Sequence, residues 1–143
     1  DVQIPLAARP DGEQGLLGVI LGARLRDGDI RISLAGIGGP SAGLMFSLAV
    51  IDKLTPDDLA GGRFVAGTGA IEPTGVVTPI NGIPFKMRKA YDEGATVFLV
   101  PAANCEEAVA TNPGDLQLVR VSTLHDAVGA LQALKAGGPV PAC

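Results

Sequence analysis

The chain has 143 residues and a net charge of −4, with 47% apolar and 3% aromatic residues. This length fits one domain, or one domain with a fragment of another, and the apolar fraction is sufficient for an aliphatic core. The sequence has no basic patch with interleaved aromatics and no apolar run near the roughly 18 residues that span a bilayer, which argues against a nucleic-acid partner and against a membrane span within these residues. One histidine and two cysteines without metal-ligand spacing also argue against zinc, so we expect neither a metal nor a cofactor.

The first part of the chain carries strand and turn patterns, and a long helix follows them. The patterns before residue 35 are a short strand at 2–6, a turn or linker at 9–15, and a hairpin of 16–25 with 30–34. The strand at 2–6 is either an edge strand, as its proline favours, or a remnant of a preceding domain. Two glycines and a proline then make a tight turn at 38–43. The apolar spacing of 42–54 predicts an amphipathic helix, and Thr55 followed by Pro56 predicts a short helical turn over 55–58.

In the second part of the chain, strand and helix patterns alternate. They predict a strand at 63–68, a hairpin at 69–78, a helix from 84 to 93 closed by Gly94, a strand at 96–100, a helix over 105–111 capped by Asn104, a strand at 116–121, and a helix from Ser122 or Thr123 to about Lys135. Together with the earlier hairpins, this order predicts an α/β fold with a mixed sheet.

Ser41 is the first candidate for chemistry because it lies in the tight turn at the start of helix 42–54. A helix N-terminus has unpaired N–H groups and a partial positive charge, which suits a developing oxyanion. From its position alone, the serine is either a nucleophile or a cap. A nucleophile needs a base, and the single histidine, His125, is more readily explained as a solvated or capping residue.

Lysine is the other base that can serve a serine, and the chain has four. Three have ordinary explanations: Lys53 lies about 18 Å along the helix of Ser41, Lys89 is solvated, and Lys135 closes a helix. Lys86 differs, because it follows Pro84 in a first helical turn among apolar neighbours. Desolvation and the helix dipole both disfavour its charged form, and a general base must be neutral. The alternative is a lysine that extends to solvent from a surface helix.

Thr68 and the two cysteines each allow two interpretations from the sequence. Thr68, between two glycines at a strand end, could hold a lysine amine by a hydrogen bond, or could be an ordinary strand threonine. Cys105 and Cys143 either form a disulfide or remain free thiols, and the residues alone favour neither.

Four motifs in a fixed order, with Lys86 among them, resemble the proteolytic domain of Lon proteases, the serine–lysine peptidases of family S16. The motifs are Gly-Gly-Pro-Ser-Ala-Gly-Leu at 38–44, Gly-Thr-Gly-Ala-Ile at 67–71, Gly-Val-Val-Thr-Pro-Ile-Asn-Gly at 75–82 and Glu-Gly-Ala-Thr-Val-Phe-Leu-Val-Pro at 93–101. The resemblance covers about residues 30–131. It implies that Ser41 is the nucleophile, Lys86 the general base and Thr68 the hydroxyl that orients the lysine. It also implies an oxyanion site made by the backbone of Gly39, Pro40, Ser41 and Ala42.

The sequence departs from the ATP-dependent Lon enzymes in a way that indicates a subtype. Those enzymes usually carry an acidic residue where this chain has Gly38, and 143 residues cannot hold an ATPase module. Ile-Gly-Gly-Pro-Ser-Ala-Gly-Leu-Met-Phe at 37–46 and Ile-Asp-Lys-Leu-Thr-Pro at 51–56 are more similar to bacterial ATP-independent members, in which a membrane anchor and a PDZ domain precede the protease domain. This likeness implies an endopeptidase acting on protein or peptide substrates, and a hexameric ring by analogy.

The same likeness predicts the domain organisation and location. Residues 1–12 would be the remnant of a PDZ-like domain with its linker, 13–136 the protease domain and 137–143 a tail. The intact protein would be membrane-anchored, with this soluble domain outside the cytoplasm, where a Cys105–Cys143 disulfide is favoured. Two other interpretations stay open: a catalytically silent module that binds a peptide or anion at the glycine turn, and a purely structural domain.

Overall fold

The computed structural model describes residues 39–56 and 58–143, and the backbone of 7–9 and 12–16. The chain divides into two compact units, 1–33 and 34–143. In the first unit, strand β1 (Ala7–Arg9) pairs antiparallel with β2 (Gly12–Leu16). The turn or linker predicted over 9–15 is therefore wrong, because Arg9 pairs with Gly12 and most of this segment is strand. The strands predicted at 2–6 and 30–34, and most of that at 16–25, lie outside the described residues.

The second unit alternates helices and strands along its described residues. In chain order they are α1 (Gly43–Leu54), β3 (Val65–Gly67), β4 (Ala70–Ile71), β5 (Val77–Thr78), α2 (Ile83–Asp92), β6 (Val97–Pro101), α3 (Cys105–Ala110), β7 (Gln117–Val121) and α4 (Leu124–Lys135). Short 3-10 turns precede α1 (Pro40–Ala42) and α3 (Ala102–Asn104).

Strand β6 is the centre of the second unit. It pairs in parallel with β3 on one side and β7 on the other, and all five of its residues are buried. Its side chains alternate between two apolar clusters, as a strand covered on both faces requires. Val97 and Leu99 pack with residues of α1 and α4, and Phe98 and Val100 pack with residues of α2 and α3. The α/β class predicted from the sequence is confirmed.

Local signals account for three of the helices. The apolar stripe of α1 buries Leu44 and Leu48, as its spacing predicts. Helix α2 begins with a proline in its first turn, and Gly94 takes a left-handed conformation (φ 89°) just beyond its end. Helix α4 begins at Thr123 with a capping box, in which the threonine hydroxyl accepts from the backbone N–H of Asp126.

The helical turn predicted over 55–58 does not form at its described residues. Thr55 has extended dihedral angles (φ −103°, ψ 144°) and ends α1, as expected for a residue that precedes a proline. The N–H of Leu59 donates instead to the side chain of Asp52, 2.8 Å away. The Asp52 carboxylate, on α1, therefore fixes the segment after this helix by a hydrogen bond, and no new helical turn begins at Thr55.

The hairpin predicted at 69–78 is confirmed. Strands β4 and β5 pair antiparallel, and the N–H of Gly75 donates to the carbonyl of Glu72 at the turn. The hairpin is attached to the start of α4, because Leu124 N–H donates to Gly75 and Val77 N–H donates to Ser122.

The segment predicted as a tail, 137–143, lies against strand β7. Ala142 forms an antiparallel bridge with Val119, and the N–H of Arg120 donates to the carbonyl of Pro141 at 2.9 Å. A disulfide joins Cys143 to Cys105 at the start of α3, with the two Cα atoms 5.1 Å apart. Across the described part of the chain, no helix combines the length and apolarity that crossing a bilayer requires.

Candidate active site

Ser41 lies in the 3-10 turn that leads directly into α1, and it is half-buried. Gly39 precedes the turn with φ 101°, a conformation that favours glycine. The carbonyl of Ser41 accepts two hydrogen bonds, from the backbone N–H of Gly69 and from the hydroxyl of Thr68, each at 2.9 Å. Leu44 N–H donates back to the carbonyl of Gly69 at 3.0 Å. The serine turn is therefore fixed to the loop that follows β3.

Thr68 is the residue that connects this turn to the lysine. It is 3% exposed and follows β3 directly, with its backbone N–H donating to the carbonyl of Leu99 on β6. Its hydroxyl donates to the Ser41 carbonyl and accepts from Lys86 Nζ, which lies 3.3 Å away. Three residues on separate elements are thus joined in one hydrogen-bonded chain.

Lys86 lies in the first turn of α2 and is half-buried. Its neighbours one position to either side differ in burial: Met87 is fully buried, and Phe85 is 82% exposed. The lysine therefore emerges at the boundary between the packed face of the helix and solvent. This position lets the amine reach Thr68.

The other three lysines and the histidine differ from Lys86 in that they are exposed. Lys89 is exposed and pairs with Glu93, whose hydrogen bond and charge raise the pKa of the lysine. Lys135 is exposed and donates to the carbonyl of Asp58, and Lys53 is exposed in the last turn of α1. His125 is exposed in the first turn of α4 and takes part in none of the bonds that join Ser41, Thr68 and Lys86.

The backbone at 39–42 corrects one part of the oxyanion prediction. Pro40 has no N–H and cannot donate to an oxyanion, so including it was wrong. Gly39, Ser41 and Ala42 each carry an N–H, and the latter two lie in the first turn of the 3-10 segment. The N–H groups of a first helical turn are the ones without intrahelical acceptors. The donors of this turn are therefore amides, on a helix end that favours negative charge.

Asn104 makes side-chain contacts that its local sequence does not predict. It was predicted to cap α3 with its side chain, and although it occupies the N-cap position it makes no such bond. Its amide instead accepts from the N–H of Ile80 and donates to the carbonyl of Ile80, both at 3.0 Å. The two residues are 24 positions apart, so no local pattern carries this contact.

The described residues contain no cluster of three or more acidic, histidine or cysteine side chains that could hold a metal ion. The hydrogen bonds in this part of the structure join the Lys86 amine, the Thr68 hydroxyl and the backbone carbonyl of Ser41. An amine and a serine hydroxyl are groups that proton transfer and nucleophilic attack use.

Residues 35–132 match the sequence model of the Lon protease (S16) C-terminal proteolytic domain. The chain belongs to this family. The match spans the serine turn, the β4–β5 hairpin, and helices α1 and α2. It confirms the family resemblance drawn from the four sequence motifs.

Individual Lon proteases are similar to this chain at a moderate level. Lon protease 2 of Bacillus subtilis is 30% identical over 112 residues, which cover 74% of this chain and 19% of the relative. The peroxisomal Lon protease homolog 2 of Caenorhabditis elegans is 33% identical over 114 residues, covering 75% of this chain and 14% of the relative. The archaeal Lon protease of Methanothermobacter thermautotrophicus is 30% identical over 93 residues, covering 64% and 14%. The chain thus spans a fifth or less of the length of these Lon relatives.

Proposed function

We propose that this Lon-family domain is a serine endopeptidase in which Ser41 is the nucleophile and Lys86 the general base. The observation that carries the proposal is the hydrogen-bonded connection from Lys86 Nζ through the Thr68 hydroxyl to the main chain of Ser41. This connection supports a serine–lysine mechanism, because it brings a half-buried lysine to the turn that carries the serine at a helix N-terminus. Membership of a proteolytic-domain family supports the same chemistry.

In the proposed reaction, the neutral amine of Lys86 takes the proton of the Ser41 hydroxyl as its oxygen attacks a peptide carbonyl. The tetrahedral intermediate collapses when the protonated lysine gives its proton to the leaving amine. Water then attacks the acyl-enzyme, with Lys86 again accepting a proton and returning it to Ser41. Each proton that leaves the serine or the water is accounted for on the lysine.

Thr68 supports this assignment through the direction of its hydrogen bonds. Its hydroxyl hydrogen is directed to the Ser41 carbonyl, so its oxygen accepts an N–H of Lys86. An amine that donates one N–H keeps its nitrogen lone pair for another partner. The threonine can therefore orient Lys86 without occupying the lone pair that must receive the serine proton.

The oxyanion would be held by backbone N–H groups at the start of the turn. Ser41 and Ala42 are the donors we assign, with Gly39 adjacent. These amides are fixed before the reaction, since the turn is anchored to Gly69 by main-chain bonds. Preorganised donors at the point where charge develops are the most effective kind of transition-state stabilisation.

We further propose that the intact protein is an ATP-independent, membrane-anchored peptidase whose proteolytic domain lies outside the cytoplasm, preceded by a PDZ-like domain. Gly38 supports the subtype, because it stands where ATP-dependent members usually have an acidic residue. The Cys105–Cys143 disulfide supports the location, because such bonds persist in oxidising compartments. Assembly into a ring, and protein or peptide substrates, follow from the family by analogy.

The test compares peptide hydrolysis by the full chain and three variants. Ser41→Ala and Lys86→Met should each abolish turnover while leaving the circular dichroism spectrum unchanged. Lys89→Met is the matched control, since it removes an exposed lysine of the same helix, and it should keep full turnover. Undiminished turnover in Ser41→Ala overturns the assignment.

A second measurement separates the peptidase from a silent binding module. A fluorophosphonate phosphonylates an activated serine with loss of fluoride, so it should label the wild type at Ser41 and fail to label Lys86→Met. A protein that neither hydrolyses peptides nor reacts with the probe, yet binds peptide, is the silent module.

A further inference from the structure

We propose that Asn104 is a positioning residue for Lys86, acting through the backbone of Ile80; the inference rests on the proposed peptidase function. Asn104 is one of the two buried polar residues among the described part of the chain, 7% exposed, and the other is Thr68. Its side-chain amide makes a two-bond contact with Ile80, one bond to the N–H and one to the carbonyl. Such a paired contact fixes both the position and the orientation of the peptide that it holds.

The start of α2, which carries Lys86, lacks a side-chain cap. Gly82 occupies the N-cap with φ 78°, and no side chain caps the helix there. Lys86 lies in the first turn of this helix, and its backbone N–H donates to Gly82 at 3.3 Å. Helix ends without caps fray, so the lysine lies in the part of α2 that is least fixed by the helix itself.

The segment 79–82 joins β5 to α2, and Asn104 holds it two residues before the N-cap. Ile80 also packs against the apolar cluster that contains Ile83 and Met87 of α2. The polar contact on the backbone and the apolar contact of the side chain act on the same residue. Together they set where the first turn of α2 begins.

Asn104 is itself fixed to the central strand. It ends the 3-10 turn that follows Pro101, the last residue of β6, and its neighbour Cys105 is bonded to Cys143. Thr68, the hydrogen-bond partner of Lys86, is also tied to β6, through its N–H to Leu99. Thr68 is therefore attached to the buried strand β6 directly, and Lys86 is attached to it through Asn104 and Ile80.

This double attachment explains how the proposed dyad could be held in register. Lys86 lies on α2, whereas Thr68 follows β3, 18 positions earlier in the chain. A shift of α2 along its axis would therefore lengthen the 3.3 Å contact between the lysine amine and the threonine hydroxyl. Misplacement of a catalytic group by about 1 Å can cost on the order of a hundredfold in rate. Asn104 prevents such a shift without touching the lysine.

The experiment measures kcat and KM for a fluorogenic peptide in the full chain and in Asn104→Ala and Asn104→Asp. Asn104→Ala should lower kcat by about ten- to a hundredfold, with KM nearly unchanged, because the base moves and the peptide site does not. Asn104→Asp keeps an acceptor for the Ile80 N–H but places a buried carboxylate oxygen opposite the Ile80 carbonyl, so its kcat should fall at least as far as that of Asn104→Ala. A thermal melt of each variant shows that it is folded before the kcat values are compared.

The matched control is Asn112→Ala. Asn112 likewise bonds its side chain to backbone, donating to the carbonyl of Leu116, but in the loop after α3. It should keep the wild-type kcat. Amide hydrogen exchange at Ile80 gives a readout independent of activity, and it should accelerate in Asn104→Ala and not in Asn112→Ala.

Two results overturn the positioning role alone. One is a wild-type kcat in both Asn104 variants while exchange at Ile80 accelerates. The other is an equal loss of kcat in Asn112→Ala, which would indicate general destabilisation. A failure of the proposed function is distinct: full turnover in Lys86→Met, or no turnover in the wild type, removes the base that Asn104 is proposed to position.

Discussion

Lys86 Nζ donates a hydrogen bond to Thr68 Oγ1 over 3.3 Å, although the two residues are 18 positions apart and lie on different elements. Thr68 is buried, and Lys86 is half-buried. A lysine amine in such a position has given up part of its contact with water, so the bond to the threonine replaces some of that hydration. The contact makes Thr68 the most direct test of how the lysine is held.

Thr68→Val should lower kcat for peptide hydrolysis by about ten- to a hundredfold. Valine has nearly the same shape, so it fills the same buried space but accepts nothing from Lys86 and donates nothing to Ser41. Lys86 becomes charged as it takes the serine proton, and a hydrogen bond to a charged group contributes about 1.5–3 kcal/mol, where each 1.4 kcal/mol is about tenfold in rate. The measurement is steady-state kinetics with a parallel thermal melt. Thr68→Ser is the control, because it keeps the hydroxyl and should retain most of the activity.

Gly67→Ala should destabilise the fold by about 1–3 kcal/mol through overpacking. A Cβ at Gly67 would lie 2.8 Å from both the Cβ of Leu99 and the Sδ of Met45, between β6 and α1. Chemical denaturation of the variant and the wild type measures the difference.

Gly129→Ala is the matched control for that substitution. It lies in α4, where an added Cβ would meet nothing within 4 Å, so it should stabilise the helix by up to about 1 kcal/mol. If the two glycine variants shift the free energy of unfolding equally, close packing at Gly67 is not what requires the glycine.

Removing the disulfide with Cys143→Ser should lower the free energy of unfolding by about 4 kcal/mol, on the chain-entropy estimate for a 38-residue separation. Denaturation with and without a reductant measures the effect. Reductant should destabilise the wild type by a similar amount and leave Cys143→Ser unchanged. A variant that still responds to reductant would contradict this account.

Asp58 should contribute to the pH dependence of stability in acid. Its carboxylate accepts backbone N–H bonds from Gly62 and Ala60, which lower the pKa of the carboxyl from its ordinary value of 3.8. A lowered folded-state pKa gives stability that is present above the unfolded value and is lost as the pH falls through the folded one. The loss therefore belongs below about pH 4.

The measurement is the difference in melting temperature between the wild type and Asp58→Asn across that range. The difference should be largest near neutral pH and should shrink in strong acid, where the wild-type carboxyl is protonated. A melting-temperature difference that stays constant from neutral to strongly acidic pH would show that the negative charge of Asp58 does not contribute to the stability these bonds provide.

The sequence predicted the helices well because their signals are local. The apolar stripe of Gly43–Leu54, the proline and Gly94 that bound Ile83–Asp92, and the threonine before Leu124–Lys135 each act within a few residues. The predicted turn at 55–58 was wrong for a related reason. Thr55 and Pro56 fit a helix start, but the side chain of Asp52 captures the N–H of Leu59 and bonds the chain differently.

Asn104 shows where local patterns stop. An asparagine before a helix is a good cap by its chemistry, and the sequence offered no reason to assign it elsewhere. In the folded protein the same amide meets both backbone groups of Ile80, and that pairing occupies it. The distant partner prevails because the fold places the backbone of Ile80 beside the 3-10 turn that ends at Asn104.

By itself, the sequence determined the α/β class, the family, and the residue types available for chemistry at Ser41, Thr68 and Lys86. These follow from periodicity, turn residues and short motifs, which depend on neighbours in the chain. Only the tertiary structure decided that Lys86 bonds to Thr68, that Thr68 bonds to the Ser41 carbonyl, and that Asn104 holds Ile80. Those partners are 18 to 27 positions apart. The parallel pairing of β3 with the buried strand β6 sets Thr68 beside Leu99, and the packing of α2 against the same strand brings Lys86 to Thr68.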